Sequence, residues 1–93
     1  MLLSVKFTAS YKRSYKRMKK RGLNLALLDS IVDALRHGEK LDEKYHDHEL
    51  KGQLKGFREC HIQPDWLLIY LIEDDILTLT LVDTGSHSDL LSL

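Results

Sequence analysis

A two-layer α+β domain is what this sequence predicts, on three observations. The N-terminal half carries apolar residues at helical spacing. The C-terminal half carries apolar residues that alternate or run together as strands do. The turns between those strands are short enough to oblige antiparallel pairing. The 93 residues suit one domain with one modest core. No repeat, linker or low-complexity stretch divides them, so residues 1–93 read as a single unit.

Residues 2–8 read as a short strand with Leu3, Val5 and Phe7 on one face. Thr8 or Ser10 can cap the helix that follows, where Tyr11, Tyr15 and Met18 recur at helical spacing. Gly22 is a natural stop, Asn24 can open a second helix, and Leu28, Ile31, Val32 and Leu35 form its apolar face before Gly38 ends it. So short a connection predicts an α-hairpin. Residues 39–56 are polar, with glycines at 52 and 56, and read as a loop. Residues 57–62 then alternate, and Pro64 breaks the run. Residues 66–72 (WLLIYLI) are almost continuously apolar, as in a central strand buried on both faces. Glu73, Asp74 and Asp75 make a turn. In residues 76–82, Ile76, Thr78, Thr80 and Val82 fall on one face and Leu77, Leu79 and Leu81 on the other. Gly85 ends the strand, and residues 86–91 suit a last helical turn. The expected order is β-α-α-β-β-β, with the helix pair on one face of a mainly antiparallel sheet.

The zero net charge hides a strong asymmetry. Lys6, Lys12, Arg13, Lys16, Arg17, Lys19, Lys20 and Arg21 precede Gly22 with no acid among them, and all 14 acids follow from Asp29 onward. Such a run repels itself unless a polyanion faces it. Cys60 is the single cysteine, so no disulfide can form within the chain and nothing argues for an oxidising compartment. The first residues contain Lys6 and alternate in polarity, which suits neither a signal peptide nor a membrane span. A cytoplasmic protein with no membrane partner is expected.

Three histidines fall where site residues collect: His48 in the polar loop, His61 at a strand end, and His87 just after the last strand. The antiparallel return of the last strand brings His87 back beside Asp65 and Trp66, with His61 at the same end of the sheet. A metal set drawn from His46, Asp47, His48, Cys60 and His61 fits no common spacing, and Cys60 and His61 fall on opposite faces of a strand. No metal and no cofactor is expected, and Cys60 reads as a small core residue. General acid–base work remains. Histidine titrates near neutral pH, and RNA cleavage needs a base for the 2′-hydroxyl, an acid for the leaving 5′ oxygen and no metal.

The runs DHELKG (47–52), GFRECHI (56–62), PDWLLIY (64–70) and TGSHSDL (84–90) together resemble the YafQ-type mRNA interferase toxins of the RelE/ParE superfamily, from bacterial type II toxin–antitoxin systems. The resemblance covers essentially the whole chain. It implies a RelE-like, microbial-ribonuclease fold, endonucleolytic cleavage of mRNA in the ribosomal A site, and neutralisation by a DinJ-type antitoxin. It implies His48, His61, Asp65 and His87 as the catalytic set. Asp65 or His48 would serve on the base side and His87 on the acid side, and His61 would orient the phosphate or share the proton traffic. Trp66 would stack on a base or simply pack.

Lys51, Lys55 and Arg58 are candidate phosphate contacts, although strand alternation sets Arg58 opposite His61 unless a bulge intervenes. The sequence departs from the family at Leu91, where the family usually has a phenylalanine that helps hold the RNA base. A leucine forgoes base stacking worth about 1–3 kcal/mol, which implies weaker activity or altered codon preference. Two competing readings are a binding-only superfamily toxin that inhibits gyrase and an attenuated chain that only engages its antitoxin. The joint presence of His48, His61, Asp65 and His87 favours the nuclease.

Overall fold

The structure, a computed structural model, describes residues 2–90, so the departure at Leu91 lies outside the described residues. Strand β1 (Ser4–Phe7) leads into helices α1 (Ala9–Lys20) and α2 (Leu25–Arg36). Strands β2 (His48–Glu49), β3 (Arg58–Gln63), β4 (Trp66–Glu73) and β5 (Thr78–Gly85) follow, and the four-residue helix α3 (His87–Leu90) comes last. The five strands form one sheet in the order β1-β5-β4-β3-β2. β1 runs parallel to β5, and the other pairs are antiparallel.

The helix hairpin forms where side chains satisfy the free N–H groups at its starts. The Thr8 hydroxyl accepts from Tyr11 N–H at 2.9 Å and donates to the Val82 carbonyl at 2.6 Å, tying the start of α1 to β5. Asn24 Oδ1 accepts from Ala26 N–H at the start of α2. Tyr11 and Met18 from α1 and Leu28, Ile31 and Leu35 from α2 meet Cys60, Ile62, Trp66, Leu68, Tyr70, Leu79 and Leu81 in the main core. Leu67, Ile69 and Leu90 form a smaller cluster with Leu50, Phe57 and Val82. β4 is thus buried on both faces at the centre of the sheet, as its continuous apolar run predicts.

The structure differs from the sequence reading in two places. The polar loop contains β2, whose two residues pair as His48 with Glu59 and Glu49 with Arg58. It also contains tight helical turns at Glu43–Tyr45 and Gly52–Leu54. Its apolar content is too low to announce a strand; backbone pairing to β3 makes one. The last long strand begins at Thr78 instead of residue 76. Asp74–Ile76 form a helical turn, and Leu77 closes it in the left-handed region (φ 49°). Ile76 and Leu77 are therefore exposed, despite their place in an alternating pattern. The strand also runs on to Gly85, with a register shift between Ile69 and Tyr70 that leaves Val82 as the extra residue on β5. Among the described residues, no helix is long and apolar enough to cross a membrane.

Candidate functional site

Four histidines line up across the sheet end that β3, β4 and β5 share. The His61 ring lies centrally, 5.5 Å from His46, 5.6 Å from His87 and 6.5 Å from His48, measured between ring centroids. β3 supplies His61, β2 supplies His48, and α3 supplies His87. His46 lies between the Glu43–Tyr45 turn and β2 with φ 47°. A non-glycine residue in that region stores strain, and such strain concentrates at functional sites.

The antiparallel return of β5 pairs Gly85 with Leu67, which carries His87 back to the turn before β4. There Asp65 Oδ1 accepts two hydrogen bonds from His87, from the backbone N–H at 2.9 Å and from Nδ1 at 2.7 Å. The backbone bond first, and then the side-chain bond, holds the Asp65 carboxyl below its ordinary range. With Nδ1 directed at the carboxylate, His87 has Nε2 left for a substrate.

Glu59 is a member that the sequence did not reveal. Its Oε1 lies 3.3 Å from His48 Nε2, and donor atoms of His48, Glu59 and His61 all lie within 4.8 Å of one another. An acid alternating with apolar residues reads as solvent-facing, and only the β2–β3 pairing puts it against His48. A cavity of about 790 Å³ opens beside these groups, bounded by Ile31, Tyr45, His46, His48, His61 and Pro64.

Other candidates take different positions. Arg58 lies on the helix-side face with no bulge to bring it round. Its Nε and Nη2 each reach an Asp47 oxygen at 3.3 Å, and Tyr70 Oη donates to Asp47 Oδ1 at 2.5 Å. The hydrogen bond to Asp47 raises the Arg58 pKa. Arg58 thus anchors the loop that carries His48. Asp47 is occupied in the same way and stands apart from a metal set. Cys60 is buried, and its thiol is pushed up to about 12, chiefly by burial. Its side chain packs in the main core with Ile62 and Leu68. Trp66 is 2% exposed, and its Nε1–H donates to Thr84 Oγ1 at 3.0 Å. Of the two expectations for Trp66, packing fits this geometry, because neither ring face is open to a base. Lys51 and Lys55 are exposed on the loop closed by Leu50 N–H donating to the Phe57 carbonyl. Neither is in an ion pair among the described residues.

Comparison with known proteins gives this geometry a family. The family described as "Bacterial toxin of type II toxin-antitoxin system, YafQ" matches residues 3–92. The chain belongs to that family. A stretch of 46 residues is 46% identical to the mRNA interferase toxin YafQ of Escherichia coli K12, covering 50% of this chain and 48% of that protein. The chain thus spans about half the length of the curated relatives it matches. Solved structures cover more. YafQ in the E. coli DinJ–YafQ toxin–antitoxin complex is 31% identical, with 97% of this chain and 98% of that one covered and a TM-score of 0.89. A toxin from Helicobacter pylori, described as metal-bound, is 44% identical, with 96% and 99% covered and a TM-score of 0.90. The RelE-like fold is therefore the fold of this chain.

Proposed function

We propose that this chain is the toxin of a type II toxin–antitoxin pair, a ribosome-dependent endoribonuclease that cuts mRNA in the A site by acid–base chemistry. The observation that carries this reading is the histidine row ending in the Asp65–His87 pair. His87 is the general acid. Asp65 stays ionised, orients the ring through Nδ1 and stabilises the imidazolium that must donate from Nε2. His48 is the general base: with Nε2 turned to Glu59, the 2′-hydroxyl proton goes to Nδ1, displacing its 3.3 Å contact with the Glu49 carbonyl, and Glu59 offsets the positive charge the ring then acquires. The 2′ oxygen then attacks phosphorus, the bond to the 5′ oxygen breaks, and His87 protonates that oxygen. The products are a 2′,3′-cyclic phosphate and a 5′-hydroxyl. His61, between the two, faces the phosphate, where a cationic ring lowers the energy of the phosphorane. Each positioned acid–base group in such a site contributes about 10²- to 10⁴-fold.

Asp65 is less suited to the base role, because both of its bonds from His87 favour the ionised, already engaged carboxylate. The acid-free face of α1 supplies affinity for ribosomal and messenger RNA phosphates, and exposed Lys51 and Lys55 add to it. The same basic face suits an acidic antitoxin segment of the DinJ type, which would keep the toxin silent in the cytoplasm. A gyrase-binding inhibitor would need no such row of histidines.

A second reading rests on Glu59. Two imidazoles and a carboxylate are a donor set suited to zinc or copper, and relatives from H. pylori are described as copper-bound and metal-bound. His48, Glu59 and His61 would hold the ion, which would supply positive charge beside a phosphate.

Ribosomes programmed with a defined mRNA, cut sites mapped by primer extension, and chelator in half the reactions test both readings. Codon-phased A-site cuts that survive chelator and vanish in His87→Ala support the acid–base enzyme. Cuts that need added metal favour the second reading. Cuts only from Leu91→Phe would mark an attenuated toxin, and none from either chain would leave a binding-only protein.

A further inference from the structure

His87 begins a helix of only four residues, too short to hold itself by its own backbone bonds. What fixes that turn is a carboxylate two residues on. Asp89 N–H donates to Ser86 Oγ at 3.1 Å, and Ser86 N–H donates to Asp89 Oδ2 at 2.8 Å. This reciprocal pair closes the turn around His87 as a capping box does. The same carboxylate receives a fork from the end of α1: Arg21 Nη1 donates to Oδ2 at 2.6 Å and Nη2 to Oδ1 at 3.0 Å. Among the described residues, Arg21 is the one cation of the N-terminal basic run in an ion pair. The bond from Arg21, followed by that from Ser86 N–H, holds the Asp89 carboxyl well below the usual range. Gly85 makes room for this arrangement. A Cβ there would stand 2.8 Å from Asp89 Cβ and 2.9 Å from Oδ2.

We propose that Asp89, clamped by Arg21 and admitted by Gly85, is a positioning residue for His87. It ties the turn carrying the general acid to the rigid end of α1, so that His87 Nδ1 meets Asp65 and Nε2 faces His61 and the scissile phosphate. This rests on the reading of His87 as the acid. Bidentate, charge-assisted contacts fix direction as well as distance. A misplacement of about 1 Å at a catalytic group costs on the order of 10²-fold. The clamp also assigns Arg21 to internal structure, unlike the neighbouring lysines and arginines of α1.

The test compares Asp89→Ala, Asp89→Glu, Gly85→Ala and His87→Ala on programmed ribosomes, with kcat and KM separated and each variant's melting temperature measured. Nitrogen-edited NMR of the free protein follows the His87 Nδ1 proton. The expected result for Asp89→Ala is a kcat lowered by about 10- to 100-fold, with KM unchanged and the Nδ1–H signal broadened or lost. Gly85→Ala should reproduce it. Asp89→Glu, which keeps the carboxylate and the more usual capping residue, should recover most of the rate and the signal. Cleavage by Asp89→Ala within twofold of the parent, while His87→Ala is dead, would overturn the proposal and spare the acid assignment. A rise in KM at constant kcat, or a loss that tracks unfolding and is not rescued by Asp89→Glu, would also overturn it. Undiminished cleavage by His87→Ala would overturn both.

Discussion

Replacing Trp66 with phenylalanine separates a packing residue from a base-stacking one. The indole is buried and its N–H donates to Thr84 Oγ1, which itself donates to the Leu67 carbonyl at 2.7 Å. Phenylalanine keeps an aromatic face but loses the donor, at a cost of about 1–1.5 kcal/mol for a buried hydrogen bond. The smaller ring also leaves a void. At roughly 0.8 kcal/mol per buried methylene equivalent, the missing atoms cost about another 1–2 kcal/mol. The total is about 2–3.5 kcal/mol, and at about 4–8 °C per kcal/mol for a domain of this size the melting temperature should fall by roughly 10–25 °C. The variant should remain folded at room temperature, because small domains have about 5–15 kcal/mol of stability. Thermal unfolding followed by circular dichroism gives the stability, and ribosome cleavage at 20 °C gives the rate per folded molecule. A large drop in melting temperature with cleavage within about threefold of the parent is expected. A melting temperature within 4 °C of the parent, together with a tenfold loss of cleavage, would refute the reasoning and return Trp66 to the RNA.

Two further outcomes follow from the structure. Asp47→Ala removes the acceptor shared by Arg58 and Tyr70 and should loosen the loop carrying His48. Amide exchange across residues 42–50 should rise at least tenfold, and stability should fall by about 1–3 kcal/mol, as measured by urea unfolding. Protonation should also release the Arg21–Asp89 clamp. The folded pKa of Asp89 is depressed, so its stabilising effect is present above the unfolded carboxylate value of about 3.9 and is lost as pH falls through the folded value. Parent and Asp89→Asn should therefore differ in melting temperature at pH 6 and converge on strong acidification. Curves that stay equally separated at every pH would contradict this.

The sequence makes the helix hairpin legible because Tyr11 and Met18 follow a Thr8 cap, and Leu28, Ile31 and Leu35 follow an Asn24 cap, all at helical spacing. It makes β4 legible because WLLIYLI permits no polar face. The meeting of Asp65 and His87 follows from antiparallel return alone. What stays hidden depends on contacts distant in sequence. β2 is two residues long and is a strand only because Glu59 and Arg58 face it. Glu59 gains meaning only through that pairing, and the burial of Trp66 against Thr84 shows only once β4 and β5 are paired. Ile76 and Leu77 continue an alternating pattern, but the left-handed backbone at Leu77 turns them out of the sheet. Local pattern reports burial tendency; it does not report where a chain reverses.

The parallel pairing of β1 with β5 has a consequence during synthesis. β5 lies between β1 and β4, so the first strand made has no neighbour until nearly the last one leaves the ribosome. Contacts between such distant segments close late and slowly. The turn bearing His87 emerges later still, and the sheet end that gathers the histidines exists only once it does. A nascent chain therefore presents its basic helix before the row of histidines can form. The order of strands in the sheet thus makes the gathering of the histidines a late step of folding.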